Sequence, residues 1–225
     1  MTIRAVFFDL DDTLCNTSVS RRDRALLAAK TIAAANPDLD VDELVLRILE
    51  PQPGAGSPRG VGPLLADLGV SDTDAGRAAR GLWFFQGCEH LVSSFESCLD
   101  AIAVLRRNYK LGVITNGRHD VQRLKFSALG CNGIPPELVF ASEAVGHDKP
   151  DARIFAHALS HAGVRPDEAA FVGDQPLIDI AGAKSAGMFG VWFNPGGLPG
   201  PTGIVPDATF SNYNDLSGIL SRLSN

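Results

Sequence analysis

Short apolar runs rich in β-branched and aromatic residues recur along the chain, and they predict the strands of a sheet. The first is RAVFF, and the others in chain order are KLGVIT, ELVFAS, AAFVG and FGVWFN. Between them, apolar residues recur at helical spacing, as Phe95, Leu99 and Ile102 do. The predicted helices are FESCLDAIAVLRRN, HDVQRLKFSALG, DARIFAHALSHAG, LIDIAGAKSAG and, at the end, DLSGILSRLSN. Strands that alternate with helices predict a doubly wound parallel sheet of the α/β class, with helices on both faces.

The stretch from residue 16 to residue 93 interrupts this alternation. It contains the helix-like segments RALLAAKTIAAAN, VDELVLRILE and GRAARGLWFF, and no run that predicts a strand. We therefore predict an α/β core formed by residues 1–15 and 94–225, with a small all-helical domain, residues 16–93, inserted after the first strand. The segment EPQPGAGSPRGVGP (50–63) predicts an irregular loop because it is dense in proline and glycine. A plain connector and a substrate-facing loop are equally favoured there.

Composition narrows the class of protein. The 225 residues are 45% hydrophobic and 20% charged, as in ordinary globular proteins. A net charge of −6 disfavours nucleic acid or an anionic membrane as partner, and no apolar run approaches the ~18 residues of a membrane span. The chain enters a strand directly, so we expect no signal peptide. Its four cysteines are widely spaced, which predicts reduced thiols in a cytoplasmic protein. Assembly into a homo-oligomer is left open.

Polar residues stand where the predicted strands end. They are Asp9 and Asp11 after the first strand, Thr115 and Asn116 after the second, Lys149 after the third, and Asp174 and Asp179 after the fourth. In a doubly wound sheet, ligands bind beyond the carboxyl ends of the strands. Neighbouring carboxylates repel one another, and a hard divalent cation such as Mg²⁺ would offset that repulsion. A carboxylate can also attack phosphorus, and a lysine and a hydroxyl suit the negative charge of a phosphoryl group.

Four short motifs in this order resemble those of the haloacid dehalogenase superfamily, in its phosphatase branch with a helical cap inserted after the first core strand. The motifs are DLDDT (9–13), TNG (115–117), KPD (149–151) and GDQPLID (173–179). The resemblance extends over essentially the whole chain, with residues 16–93 as the cap. It implies a Mg²⁺-dependent phosphatase that hydrolyses a small phosphorylated metabolite through an aspartyl-phosphate intermediate.

The resemblance also implies roles for the acidic residues of the first motif. Asp9 is expected to be the nucleophile and a metal ligand. Asp11 is expected to protonate the leaving alkoxide, then to activate water, and to bind the metal through its backbone carbonyl. Asp12 is expected to serve the structure of the turn.

The other three motifs supply the remaining groups that the resemblance implies. Thr115 and Asn116 are expected to hold phosphoryl oxygens, and Lys149 to bridge the nucleophile and the phosphate. Asp174 is expected to bind Mg²⁺ directly, with Asp179 nearby and acting through water.

Rival functions use parts of the same pattern. A phosphotransferase or mutase would use the same aspartate pair but exclude water from the aspartyl-phosphate. A dehalogenase is disfavoured because halide leaves without a proton, whereas an acid at position 11 serves a leaving group that needs one. A non-catalytic binding module is disfavoured because the acidic and basic residues of the motifs are all present.

Histidines and aromatic residues also lie outside the motifs. His157 and His161 are four residues apart on a predicted helix, which is a weak metal pattern without a third ligand. Trp192 lies in an apolar strand, so we predict that it belongs to the core. The three aromatic residues 83–85 cannot all face one side of a helix, and one of them is a candidate for the mouth of the site.

Overall fold

The computed structural model describes residues 2–51 and 59–224. The chain divides into two compact units: Met1–Asn16 with Ser93–Asn225, here the α/β unit, and Thr17–Val92, here the helical unit. Residues 52–58, half of the predicted loop 50–63, lie outside the described residues. Within the described part of the chain, no helix has the length and apolar character needed to cross a membrane.

A six-stranded parallel sheet forms the centre of the α/β unit. Its strands are β1 (Ala5–Phe8), β2 (Lys110–Thr115), β3 (Val139–Ala141), β4 (Ala169–Gly173), β5 (Phe189–Phe193) and β6 (Ala208–Phe210). Their order in the sheet is β3-β2-β1-β4-β5-β6, so β1 lies between β2 and β4. The chain runs outward from β1 in both directions, and ligands bind at such a reversal of strand order, beyond the carboxyl ends of the strands.

The described residues of the helical unit form four α-helices. They are α1 (Arg21–Ala35), α2 (Val41–Leu49), α3 (Val61–Asp67) and α4 (Asp74–Trp83). Alanine and aliphatic side chains of all four helices form its core. Phe85 is only 2% exposed, and the guanidinium of Arg24 lies 4.1 Å from its ring centre. Phe84 is 37% exposed, which makes it the most accessible of the aromatic residues 83–85.

The remaining helices belong to the α/β unit. They are α5 (Cys98–Leu105), α6 (His119–Leu129), α7 (Ser142–Val145), α8 (Ala152–Ala162), α9 (Ala181–Ser185) and α10 (Leu216–Leu223). Helices α6 and α8 end at Gly130 and Gly163, as predicted, and both glycines have the left-handed backbone that suits this position. Phe155 of α8 packs edge-to-face on Phe171 of β4, with ring centres 5.1 Å apart.

Three elements depart from the prediction. Helix α3 begins at Val61, so residues 61–63 of the predicted irregular loop are helical instead. Pro63 is tolerated there because the first turn of a helix needs no backbone N–H donor. Strand β6 was not predicted, because its sequence ATF is interrupted by a threonine and gives no apolar run. The predicted strand ELVFAS is extended only at Val139–Ala141, after a 3₁₀ turn at Pro136–Leu138.

Candidate active site

Asp9 follows β1 and is 5% exposed. Its N–H donates to the carbonyl of Val172 at 2.8 Å, so the hydrogen-bonded ladder of the sheet fixes its backbone. The chain then turns sharply: the N–H of Cys15 donates to the carbonyl of Leu10, and Asp12 has a positive φ of 54°. Aspartate is one of the few residues that adopt this left-handed conformation readily, which agrees with the structural role predicted for Asp12.

Lys149 joins two carboxylates. Its Nζ atom lies 2.6 Å from Asp9 Oδ1 and 2.7 Å from Asp179 Oδ1, and its side chain is 2% exposed. Burial alone would lower the pKa of this lysine, but Asp179 and Asp9 outweigh it and raise the pKa, so the ammonium stays charged. The other oxygen of Asp179 accepts the N–H of Gln175 at 3.0 Å. Both oxygens of Asp179 are therefore engaged by the protein.

Three acidic side chains converge at this edge of the sheet. Oxygen atoms of Asp9, Asp174 and Asp179 lie within 4.8 Å of one another. Burial raises the pKa of Asp9 to about 7 against the opposing charge of Lys149. Burial, together with the charges of Asp9 and Asp179, raises the pKa of Asp174 to about 8. Three carboxylates beside one ammonium need a further cation, and an all-oxygen donor set of this kind suits Mg²⁺.

Asp174 is held by residues from three other parts of the chain. Trp192 of β5 donates its indole N–H to the carbonyl of Asp174 at 2.9 Å. The hydroxyl of Thr13 lies 3.3 Å from Asp174 Oδ1, and the Tyr213 hydroxyl donates to the carbonyl of Thr13 at 2.9 Å. Trp192 is buried, as predicted, but it also orients an acidic residue of the site.

The end of β2 supplies polar groups beside the acids. Thr115 is 1% exposed, and its hydroxyl has no hydrogen-bond partner among the described residues. Such a buried hydroxyl costs stability unless a ligand completes it. The side chain of Asn116 accepts from the N–H of Lys149 at 2.8 Å and donates to the carbonyl of Lys149 at 3.0 Å. Asn116 therefore orients the lysine; its predicted contact with phosphoryl oxygens stays a prediction.

Asp11 is bound by two residues that sequence reasoning did not identify. Lys125 Nζ lies 2.6 Å and 2.5 Å from its two carboxylate oxygens, and Gln122 Nε2 donates to Oδ2 at 3.1 Å. Both residues lie on the buried side of α6. The sequence did carry a signal, because Gln122 and Lys125 share the helical spacing of Phe126 and Leu129 and so place polar groups in a buried stripe.

His157 and His161 contact each other and Phe140 rather than the acidic residues of the site. Their rings stack on each other with centres 4.3 Å apart, and both contact Phe140. His161 Nδ1 lies 2.8 Å from the carbonyl of His157. Within the described residues, neither histidine belongs to a group of three metal-binding side chains, so we interpret the pair as a packing contact and not as a metal site.

Comparison with known proteins decides the family. The model of the haloacid dehalogenase-like hydrolases matches residues 3–187. The chain belongs to this family. The hydrolase is 30% identical to glyceraldehyde 3-phosphate phosphatase of Methanopyrus kandleri, over 99% of each chain. Both the resemblance drawn from the four motifs and the predicted α/β fold are thereby confirmed.

Two solved structures that are similar to the hydrolase represent different activities within the family. The HAD phosphatase from Thermococcus onnurineus matches with a TM-score of 0.75 and 25% identity, covering 97% of this chain and 98% of that one. The 2-haloacid dehalogenase from Pseudomonas syringae pv. Tomato DC3000 matches with a TM-score of 0.67 and 28% identity, covering 98% and 99%. The fold is therefore shared by both chemistries, and the site residues must distinguish them.

Proposed function

We propose that this hydrolase is a Mg²⁺-dependent phosphatase that acts on a small phosphorylated metabolite through an aspartyl-phosphate on Asp9. The observation that carries the proposal is the buried ammonium of Lys149 between Asp9 and Asp179, beside the unpartnered hydroxyl of Thr115. A nucleophile, a fixed positive charge and an unused donor are what the binding of a phosphoryl group requires. The relative from M. kandleri, a glyceraldehyde 3-phosphate phosphatase, supports the same class of reaction.

In the first step, an oxygen of Asp9 attacks phosphorus and the bond from phosphorus to the leaving oxygen breaks. Asp11 gives its proton to that oxygen, so a neutral alcohol departs. Lys149 and the Thr115 hydroxyl stabilise the negative charge on the phosphoryl oxygens. The fixed position of Lys149, held by Asn116 and Asp179, means that little reorganisation is needed as the charge shifts.

In the second step, Asp11 accepts a proton from water as the water oxygen attacks phosphorus. The bond between phosphorus and Asp9 breaks, inorganic phosphate leaves, and both aspartates return to their starting states. The half-exposed carboxylate of Asp11 suits a group that must meet solvent water, whereas Asp9 is buried.

The donor set fits a divalent cation. Asp9, Asp174 and the backbone carbonyl of Asp11 would hold Mg²⁺, and Asp179 would act through water because both of its oxygens are engaged by Lys149 and Gln175. When bound, the cation would neutralise charge on the carboxylates and the phosphoryl group.

Phosphate release is the direct test. The purified chain is incubated with a panel of phosphorylated sugars, acids and nucleotides, with Mg²⁺ or with EDTA, and inorganic phosphate is measured. We expect release from at least one alkyl phosphate with Mg²⁺ and none with EDTA. Chloride release from 2-chloropropionate without phosphatase activity would instead indicate a dehalogenase. Transfer of phosphate to a second metabolite without net release would indicate a phosphotransferase or mutase.

We also propose that the hydrolase works in the cytoplasm, with neither nucleic acid nor membrane as partner. All four cysteines are buried and reduced. Burial raises the pKa of Cys98 and of Cys131 to about 12, so these thiols are unreactive packing groups. The net charge of −6 supports the absence of a polyanionic partner.

A further inference from the structure

The proposed acid–base Asp11 is attached to helix α6 by a buried ion pair. The side chain of Lys125 is 7% exposed, and its ammonium donates to both carboxylate oxygens of Asp11. The Asp11 side chain is 33% exposed. The cation is therefore buried beneath a carboxylate that still reaches solvent.

Gln122 connects the same carboxylate to the loop that follows β2. Its Nε2 atom donates to Asp11 Oδ2 at 3.1 Å and to the carbonyl of Asn116 at 2.7 Å. Both of these neighbours accept hydrogen bonds, so the NH₂ group must face them. The Gln122 carbonyl oxygen is then left buried, with no partner in the described part of the chain. The side-chain carbonyl of Gln122 thus stays without a hydrogen bond while its NH₂ group joins Asp11 to the loop.

Gly117 makes room for this contact. A Cβ atom at position 117 would lie 2.8 Å from Gln122 Nε2, and the residue has a positive φ of 122°. Asn116 is in turn bonded to the backbone of Lys149. The proposed acid, the loop after β2 and the bridging lysine thus belong to one hydrogen-bonded network.

We propose that Lys125 and Gln122 are positioning residues that hold Asp11 through Oδ2, the oxygen to which both donate, so that Oδ1 carries the proton that passes to the leaving group. The inference rests on the proposed phosphatase function. A free aspartate side chain samples several rotamers, and a proton donor is effective only within hydrogen-bond reach of the atom that receives the proton. Two donors from a rigid helix restrict Asp11 to one orientation beside the phosphoryl site. Lys125 bonds to Asp11, and Gln122 bonds to Asp11 and the carbonyl of Asn116, so we expect substrate binding to depend on them only weakly.

The test is Lys125→Met, measured by release of the leaving group in a single turnover, which reports the first chemical step alone. For an alkyl phosphate, we expect the rate to fall about 10- to 100-fold, part of the usual contribution of acid catalysis. For p-nitrophenyl phosphate, whose leaving group needs little protonation, we expect a loss of less than about 3-fold. KM should change little for either substrate. Lys125→Arg, which keeps a charged donor, should recover most of the alkyl rate.

Lys184→Met is the matched control. Lys184 pairs with Asp207 at 2.7 Å and lies against Gly190 near the start of β5, at the opposite edge of the sheet. We expect it to leave both rates unchanged. Equal loss on alkyl and aryl phosphates, or no loss for Lys125→Met in an active wild-type background, overturns the inference. If Lys125→Met does not fold, Gln122→Leu is judged by the same criterion. An inactive wild-type chain would instead contradict the proposed function.

Discussion

At the scale of single residues, the main chain of Asp9 is fixed independently of its side chain, because its N–H continues the sheet. Asp9→Asn should therefore abolish phosphate release and leave the fold intact, since an amide cannot attack phosphorus. The change removes one of three crowded carboxylates, and Lys149 keeps its bond to Asp179. We expect the melting temperature in EDTA to be equal to or above that of the wild type.

Steady-state phosphate assays and thermal unfolding check this prediction. Asp167→Asn is a suitable control because Asp167 is half-buried, pairs with Arg165 and precedes β4 at the opposite edge of the sheet. Measurable turnover by the purified Asp9→Asn variant would remove Asp9 from the role of nucleophile.

Gly173 provides a steric test of the same cluster. A Cβ atom there would lie 2.4 Å from the carboxyl carbon of Asp179, so Asp179 reaches Lys149 only because residue 173 has no side chain. Gly173→Ala should destabilise the protein by about 1–3 kcal/mol, as overpacking does, and should lower turnover at least about 10-fold by displacing Asp179.

Urea unfolding and phosphate release measure the two effects. Gly218→Ala in α10 is the control, since its nearest contact would be 3.5 Å away at the end of Arg222, and alanine there should stabilise the helix by about 0.5–1 kcal/mol. Normal stability and activity of Gly173→Ala would show that Asp179 can move without consequence.

At the scale of helices and strands, much of the fold could be predicted because buried apolar residues form short runs in strands and recur at helical spacing in helices. The apolar runs located β1, β2, β4 and β5, and glycines marked the ends of α6 and α8. Strand β6 was missed because its sequence ATF gives no apolar run, so that its pairing with β5 rather than a local pattern makes it a strand. Helix α3 was missed because Gly62 and Pro63, which lie in its first turn, are residues typical of a loop.

The candidate site was predictable chiefly where a motif and a strand end coincide. Asp9, Thr115 and Asp174 satisfy that condition, whereas Lys149 was found by its motif alone, because helix α7 separates it from the end of β3. Lys125 was not found, because its partner Asp11 is 114 positions away in sequence and the contact exists only in the folded chain. Trp192 illustrates the same limit, since a pattern can predict that its ring is buried but not that its N–H orients Asp174.

Arg24 is the residue that links separate elements of the helical unit. From α1 its guanidinium donates to the carbonyls of Trp83 and Thr17 at 2.5 Å and 2.9 Å, and it lies over the ring of Phe85. Arg24→Met should destabilise this unit by about 2–3 kcal/mol, because it leaves these carbonyls without their charged donor.

The two tryptophans allow this to be measured, since Trp83 belongs to the helical unit and Trp192 to the α/β unit. In a Trp192→Phe background, the fluorescence of Trp83 reports unfolding of the helical unit. Arg22→Met, at an exposed position of α1, should leave the transition in place. A transition that does not shift for Arg24→Met would contradict the prediction.

At the scale of the whole molecule, the chain leaves the α/β unit after Asn16 and returns at Ser93. The N–H of Asn16 donates to the carbonyl of Ser93 at 2.8 Å, so the points at which the chain leaves and re-enters the α/β unit are adjacent. Asn16 closely follows Asp9 and Asp11 in the sequence. The residues assigned to chemistry all belong to the α/β unit, and they act on the phosphoryl group and the cation. We propose that the helical unit serves as the cap that selects the leaving group.

Among the aromatic residues 83–85, Phe84 is the one to test for this role, because Phe85 is buried under Arg24 and Phe84 is 37% exposed. Phe84→Ala should change the ratio of kcat/KM between two good metabolite substrates by about 10-fold, the usual value of a lost apolar contact to a leaving group. Hydrolysis of acetyl phosphate, which offers almost no leaving group to contact, should stay nearly unchanged. Phe85→Ala should chiefly lower the melting temperature of the helical unit. If folded Phe84→Ala instead loses activity on every substrate by one common factor, acetyl phosphate included, then the residue supports the fold and does not select the substrate.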